Sequence, residues 1–194
     1  MKHPVIAIVL VLASAIVACN SKDDAPKEAA RPAPAKNDLI KRGEYLVQIT
    51  GCNDCHSPKK PGPNGPELIP ELILSGNSEH TPVPHGDKNM ISQGFAVFAP
   101  DLTASAGPWG VSFSANLTPD TTTGIGGWTE EQFKKALTQG KFKGQDGGRT
   151  LLPPMPWRNY GKMNDDDVKA IFTYLKSIKA VTNAVHLPVP PGQM

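Results

Sequence analysis

A single Cys-X-X-Cys-His, Cys52-Asn53-Asp54-Cys55-His56, stands in a chain with only three cysteines. Two thiols three positions apart project from one turn, and the pattern is that of c-type haem attachment. Each thiol can form a thioether with a haem vinyl group, and the adjacent His56 can then reach the iron from one face. A chain built this way must wrap a large apolar cofactor, which supplies core that the polypeptide lacks. The composition agrees: 20 prolines and 18 glycines in 194 residues favour long loops over dense regular structure. The formal net charge of +2 gives no field that would argue for nucleic acid as a partner.

The third cysteine, Cys19, closes an export-like start. Met1-Lys2-His3 is a short basic opening, and Pro4 to Ala18 carries no charge. That length suits a signal core and is short for a spanning helix. Ile16-Val17-Ala18-Cys19 resembles a bacterial lipobox, so residues 1–18 are expected to be a lipoprotein signal and Cys19 the lipidated residue. Lipid on Cys19 and haem on Cys52 and Cys55 leave no thiol over. Residues 19–37 are rich in Ala, Pro, Lys, Asp and Glu and read as a flexible tether. The expected location is the periplasmic side of the inner or outer membrane, or the cell surface.

Three helices are legible. Leu39, Ile40, Leu46, Val47 and Ile49 lie at near-helical spacing in residues 38–50. Thr129 and Gln132 form a capping-box pattern ahead of a helix over 130–139, and Gly140 suits its end. Asn164 precedes three aspartates, placed where a helix dipole favours negative charge, and a helix over 165–179. Residues 57–128 and 140–163 show little periodicity and are expected to be loops with a haem to wrap. Residues 182–194 are expected to be an extended, partly disordered tail.

An electron carrier needs a second iron ligand. Met155 lies in Leu151-Leu152-Pro153-Pro154-Met155-Pro156-Trp157, where prolines stiffen the backbone and can hold a weak thioether at a set distance. Met163, His80, His85 and an open site are the alternatives. Met163 suits packing beside the third helix, and the two histidines suit a solvated loop.

Further motifs carry a family resemblance. They are Arg42-Gly43-Glu44-Tyr45-Leu46, Asn116-Leu117-Thr118-Pro119-Asp120, the run from Thr123 to Phe133, Pro154-Met155-Pro156-Trp157, and residues 166–176. Together with the pentapeptide they resemble class I cytochrome c domains. They are most like those in cytochrome subunits of bacterial alcohol and sugar-acid dehydrogenases and in single-haem lipoproteins. The resemblance implies an all-α class I fold with few helices and long Pro/Gly-rich loops around one covalent haem c, occupying residues 38–181. It implies Met155 as the distal ligand and Gly43 at a tight crossing of the first and last helices. Two departures stand out: this chain has one haem motif where dehydrogenase subunits have several, and residues 67–110 do not align to a minimal cytochrome.

The expected function is that of an electron carrier without its own catalytic site, serving a dehydrogenase, an oxidase or another cytochrome. The alternatives are a haem subunit of a dehydrogenase complex and a peroxidase or gas sensor with an open distal site. Lys59, Lys60, Lys134, Lys135, Lys141 and Lys143 are candidates for steering acidic partners. Residues 64–66 are candidates for the carbonyl that fixes His56, and Trp157 and Arg158 for haem propionate contacts.

Overall fold

The computed structural model describes residues 34–84 and 86–194. The expected signal, Cys19, most of the tether and His85 lie outside them.

Helix α1 (Lys36–Ile49) and helix α6 (Asp165–Leu175) form the frame. Both are amphipathic, and Leu46 and Val47 meet Val168, Ile171 and Leu175 in one buried cluster. Gly43 makes the crossing possible. A Cβ placed there would lie 2.0 Å from the Ala170 carbonyl oxygen, inside any tolerable contact. Asp167 accepts from Arg42 Nε at 2.8 Å, which holds its carboxyl below the usual range and pins the same two helices at the surface. Helix α4 (Glu130–Gln139) has the capping box expected of Thr129 and Gln132, and Phe133 joins the cluster. Its end at Gly140 adopts a left-handed φ of 67°, which glycine tolerates without a Cβ penalty.

Helix α6 is shorter than the apolar stripe suggests, ending at Leu175 rather than 179. The Lys176 ammonium instead reaches the Gly126 carbonyl. Helix α1 begins at Lys36, so the last residues of the expected tether belong to the helix.

The expectation of an all-α fold needs correction. Among the described residues, two small antiparallel sheets accompany six α-helices. Strands β1 (Lys59–Gly62) and β2 (Gly65–Leu68) form a hairpin directly after the haem motif. Strands β3 (Val97–Phe98), β4 (Ala104–Gly107) and β5 (Gly110–Phe113) form a three-stranded sheet beyond a short helix α3 (Lys88–Ser92). These strands are too short to show a clear alternation in sequence, and β4 is buried throughout, which hides the period of two. Residues 67–110 therefore carry regular structure, buried in part. Ile91, Ala106 and Val111 make a second buried cluster, which Val189 and Met194 cover.

The C-terminal residues are pinned as well as extended. Val111 and Val189 exchange backbone hydrogen bonds at 2.8 and 3.0 Å, and the Asn183 amide donates to the Ser75 and Asn77 carbonyls. Among the described residues, no helix is long and apolar enough to cross a membrane.

The crossing gives a direct test. Gly43→Ala should destabilise the domain by about 1–3 kcal/mol through overpacking, measured as a lower urea midpoint.

Candidate functional site

The pentapeptide forms its own short helix, α2 (Cys52–His56), entered through Gly51 at a left-handed φ of 72°. Cys52 and Cys55 are half-buried free thiols on one helical turn, and His56 is buried. Burial keeps both thiols protonated by pushing their pKa values up.

His56 is oriented by a residue that the sequence did not mark. Its Nδ1 lies 2.8 Å from the Ala115 carbonyl oxygen. With a carbonyl as partner, Nδ1 must carry the proton, so Nε2 keeps its lone pair. Burial pushes the imidazole below its ordinary pKa, against the opposing effect of this hydrogen bond. A neutral imidazole with Nε2 free is the form that a metal takes. The carbonyl comes from Ala115 and not from the expected residues 64–66, which sit in the β1–β2 hairpin.

The motif following Ala115 is a brace. Asn116 Oδ1 accepts from the Thr118 amide and hydroxyl, and its Nδ2 donates to the Val181 carbonyl. Both residues are buried. Asp120 accepts from the backbone and hydroxyl of Thr123 and from Thr182, and these bonds lower its pKa to about 2. The brace thus fixes where Ala115 presents its carbonyl.

Lys59, a candidate steering lysine in the sequence, also contributes to the local structure. Its ammonium donates to the carbonyls of Asp54, Ser57 and Asp101 at 2.7, 3.1 and 2.9 Å. It caps the carbonyl end of α2 and links it to residues 67–110. Those carbonyls are neutral, so Lys59 keeps its positive charge while held against the backbone. Lys134 pairs with Asp165 and Lys135 with Asp146, which offsets those two charges locally. Lys60, Lys141 and Lys143 form no ion pair among the described residues.

Met155 is half-buried on the loop between α4 and helix α5 (Trp157–Tyr160). It helps to line a hollow of about 400 Å³ with Leu151, Pro153, Pro154, Trp157 and Arg158. Cys52, Cys55 and His56 do not line that hollow. The loop is nevertheless tied to the haem motif. Tyr160, five residues past Met155, donates its hydroxyl to the Thr50 carbonyl at 3.1 Å, next to α2. Burial, aided by the nearby Cys52 and Cys55 thiols, pushes its pKa up to about 12. At the other end, the Leu151 amide donates to the Gly140 carbonyl at 2.7 Å.

The alternative distal ligands fare differently. Met163 packs against the main core. His80 is exposed beside Glu79. Arg158 stacks over the Trp157 ring, 4.4 Å from its centroid. Among the described residues, no cluster of three His, Cys, Asp or Glu side chains is placed to hold a metal ion.

No family model matches the chain. Curated relatives do, among them the following three. The chain is 30% identical over 186 residues to the fructose dehydrogenase cytochrome subunit of Gluconobacter japonicus, covering 94% of this chain and 29% of that protein. It is 34% identical over 140 residues to the gluconate 2-dehydrogenase cytochrome c subunit of Pantoea cypripedii, covering 72% and 23%. It is 30% identical over 146 residues to the cytochrome c subunit of the quinone alcohol dehydrogenase of Gluconobacter oxydans, covering 75% and 23%. The chain thus spans less than a third of each relative's length.

The pentapeptide with its oriented histidine has the pattern of c-type haem attachment, and the chain is similar to part of the cytochrome subunits of bacterial dehydrogenases.

The Asp120 brace sets a pH expectation. Its folded pKa is depressed, so its contribution is present above the ordinary carboxylate value and is lost as pH falls through about 2. In an acid titration followed by NMR, the Thr123 amide should shift with a midpoint near 2, below the ordinary carboxylate range.

Proposed function

We propose that this chain carries one haem c, joined by thioethers to Cys52 and Cys55 and ligated by His56 and Met155, and moves single electrons between redox proteins. The observation that carries the reading is the His56–Ala115 hydrogen bond within a Cys-X-X-Cys-His helix. It fixes the tautomer that leaves Nε2 free for iron, while burial disfavours the charged ring. The two half-buried thiols on one turn fit the two vinyl attachments.

The haem supplies the iron couple that accepts and releases the electron. The chain's own residues do the remaining work. His56 stays in one tautomer because Ala115 accepts its proton-bearing nitrogen. Met155 offers a thioether, which raises the potential relative to a second imidazole. The Pro153, Pro154 and Pro156 backbone limits how far that thioether can move, so little reorganises between the two oxidation states. With His56 and Met155 both holding the group, the site would favour electron transfer over peroxide or gas chemistry.

The partner is a dehydrogenase or the acceptor that follows one, by relation to the dehydrogenase subunits above. Residues 1–18 act as a lipoprotein signal, and Cys19 bears the lipid that holds residues 38–181 at the periplasmic face of a membrane or at the cell surface.

Ferric protein should show the weak sulfur-to-iron charge-transfer band, and Met155→Ala should lose it; a high-spin, water-ligated wild type would overturn the Met155 assignment. Cys52→Ala with Cys55→Ala should yield a chain from which denaturation releases all haem, checked by in-gel haem staining. Cys19→Ala should abolish incorporation of labelled fatty acid and release the protein from membranes.

A further inference from the structure

The segment running from β5 to the Asn116 brace touches both sides of the proposed iron site. At one end, Ala115 accepts from His56. At the other, three residues earlier, the Ser112 hydroxyl donates to the Pro153 carbonyl at 2.6 Å. Pro153 is two residues before Met155. Three residues of extended chain span about 10 Å, so this short piece bridges the imidazole and the methionine loop.

The Ser112 hydroxyl is held firmly for this task. It receives the Trp109 indole N–H at 3.3 Å and lies 3.0 Å from the Ser105 hydroxyl on β4. With its proton committed to Pro153, both neighbours must act as donors, and its bonding capacity is filled. Ser112 is 9% exposed and Ser105 is 1% exposed, so water competes little. Ser105 and Ser112 face each other in the β4–β5 register, and Trp109 sits in the tight Gly107–Gly110 turn between them. Among the described residues, no other hydrogen bond ties residues 152–155 to a distant segment. The prolines that stiffen the loop supply no N–H of their own. A carbonyl acceptor is therefore the natural backbone handle by which another element can hold it.

The geometry points to Ser112 as a positioning residue for Met155: the β3–β4–β5 sheet clamps the methionine loop through this hydroxyl and resists displacement of the thioether from iron. The inference rests on the reading of Met155 as distal ligand and deepens it. It gives the sheet between the haem motif and Asn116 a role at the iron.

Exogenous imidazole is the probe, because it binds ferric iron only when the methionine has left. Full-length haem-loaded wild type, Ser112→Ala, Ser112→Thr and Met155→Ala are titrated with imidazole while the charge-transfer band and thermal unfolding are followed. Ser112→Ala should bind imidazole roughly fivefold to tenfold more tightly, the effect of one lost hydrogen bond. Its unfolding temperature should stay near wild type, and Ser112→Thr, which keeps the hydroxyl, should restore wild-type affinity. Wild-type imidazole affinity in Ser112→Ala, with the band present in wild type and absent from Met155→Ala, would overturn the clamp and leave the Met155 assignment standing. Absence of the band from wild type would overturn both. Should Ser112→Ala not accumulate, Ser112→Val and Ser112→Thr differ only by the hydroxyl at equal size. Tighter imidazole binding by the Val variant supports the clamp, and equal binding overturns it.

Discussion

The hydrogen bond from His56 to the Ala115 carbonyl joins two parts of the chain that are 59 residues apart. On one side it fixes the ring that follows the attachment cysteines. On the other it depends on a peptide group held by the Asn116–Thr118 brace, which in turn is tied to Val181 near the C-terminus. A backbone carbonyl has no freedom of its own, so its placement requires the whole brace. This explains why buried polar residues such as Asn116 and Thr118 sit here and not only apolar ones: each of their bonds removes a way for Ala115 to move.

Around that bond the domain divides its labour. The α1–α6 crossing provides stability, through close approach at Gly43 and the apolar cluster beneath it. The loops provide the site. The methionine loop is anchored by Gly140 at its start, by Tyr160 at its exit and by Ser112 in between. Lysines that looked available for partners are in part structural, since Lys59 caps α2 and Lys134 and Lys135 pair with aspartates. The charge left for docking is therefore smaller than a count of lysines implies. Exposed ion pairs of this kind add little stability and chiefly fix local geometry.

Much of the frame was legible because it rests on local rules. The capping box at Thr129, the Asn164 cap, the glycine at the α4 end and the periodic apolar faces each act within a few residues. The pentapeptide was legible for the same reason, since its chemistry is set by spacing on one turn. The small sheets were not legible. Strands of two to four residues, one buried throughout, leave no alternation to read, and proline and glycine nearby suggest loops. Nor could Ala115 or Ser112 be found, since a backbone carbonyl and a lone serine carry no sequence signal.

By itself, then, the sequence determined the haem motif, the helical frame and the family resemblance, because each is written in short-range spacing. Only the tertiary structure decided which carbonyl orients His56, which lysines are occupied, and that residues 97–113 fold into a sheet bonded to the methionine loop. Those outcomes depend on contacts across 41 and 59 residues of chain, as with Ser112 to Pro153 and His56 to Ala115. Contacts of that length are fixed by how the elements pack, and no local pattern encodes them.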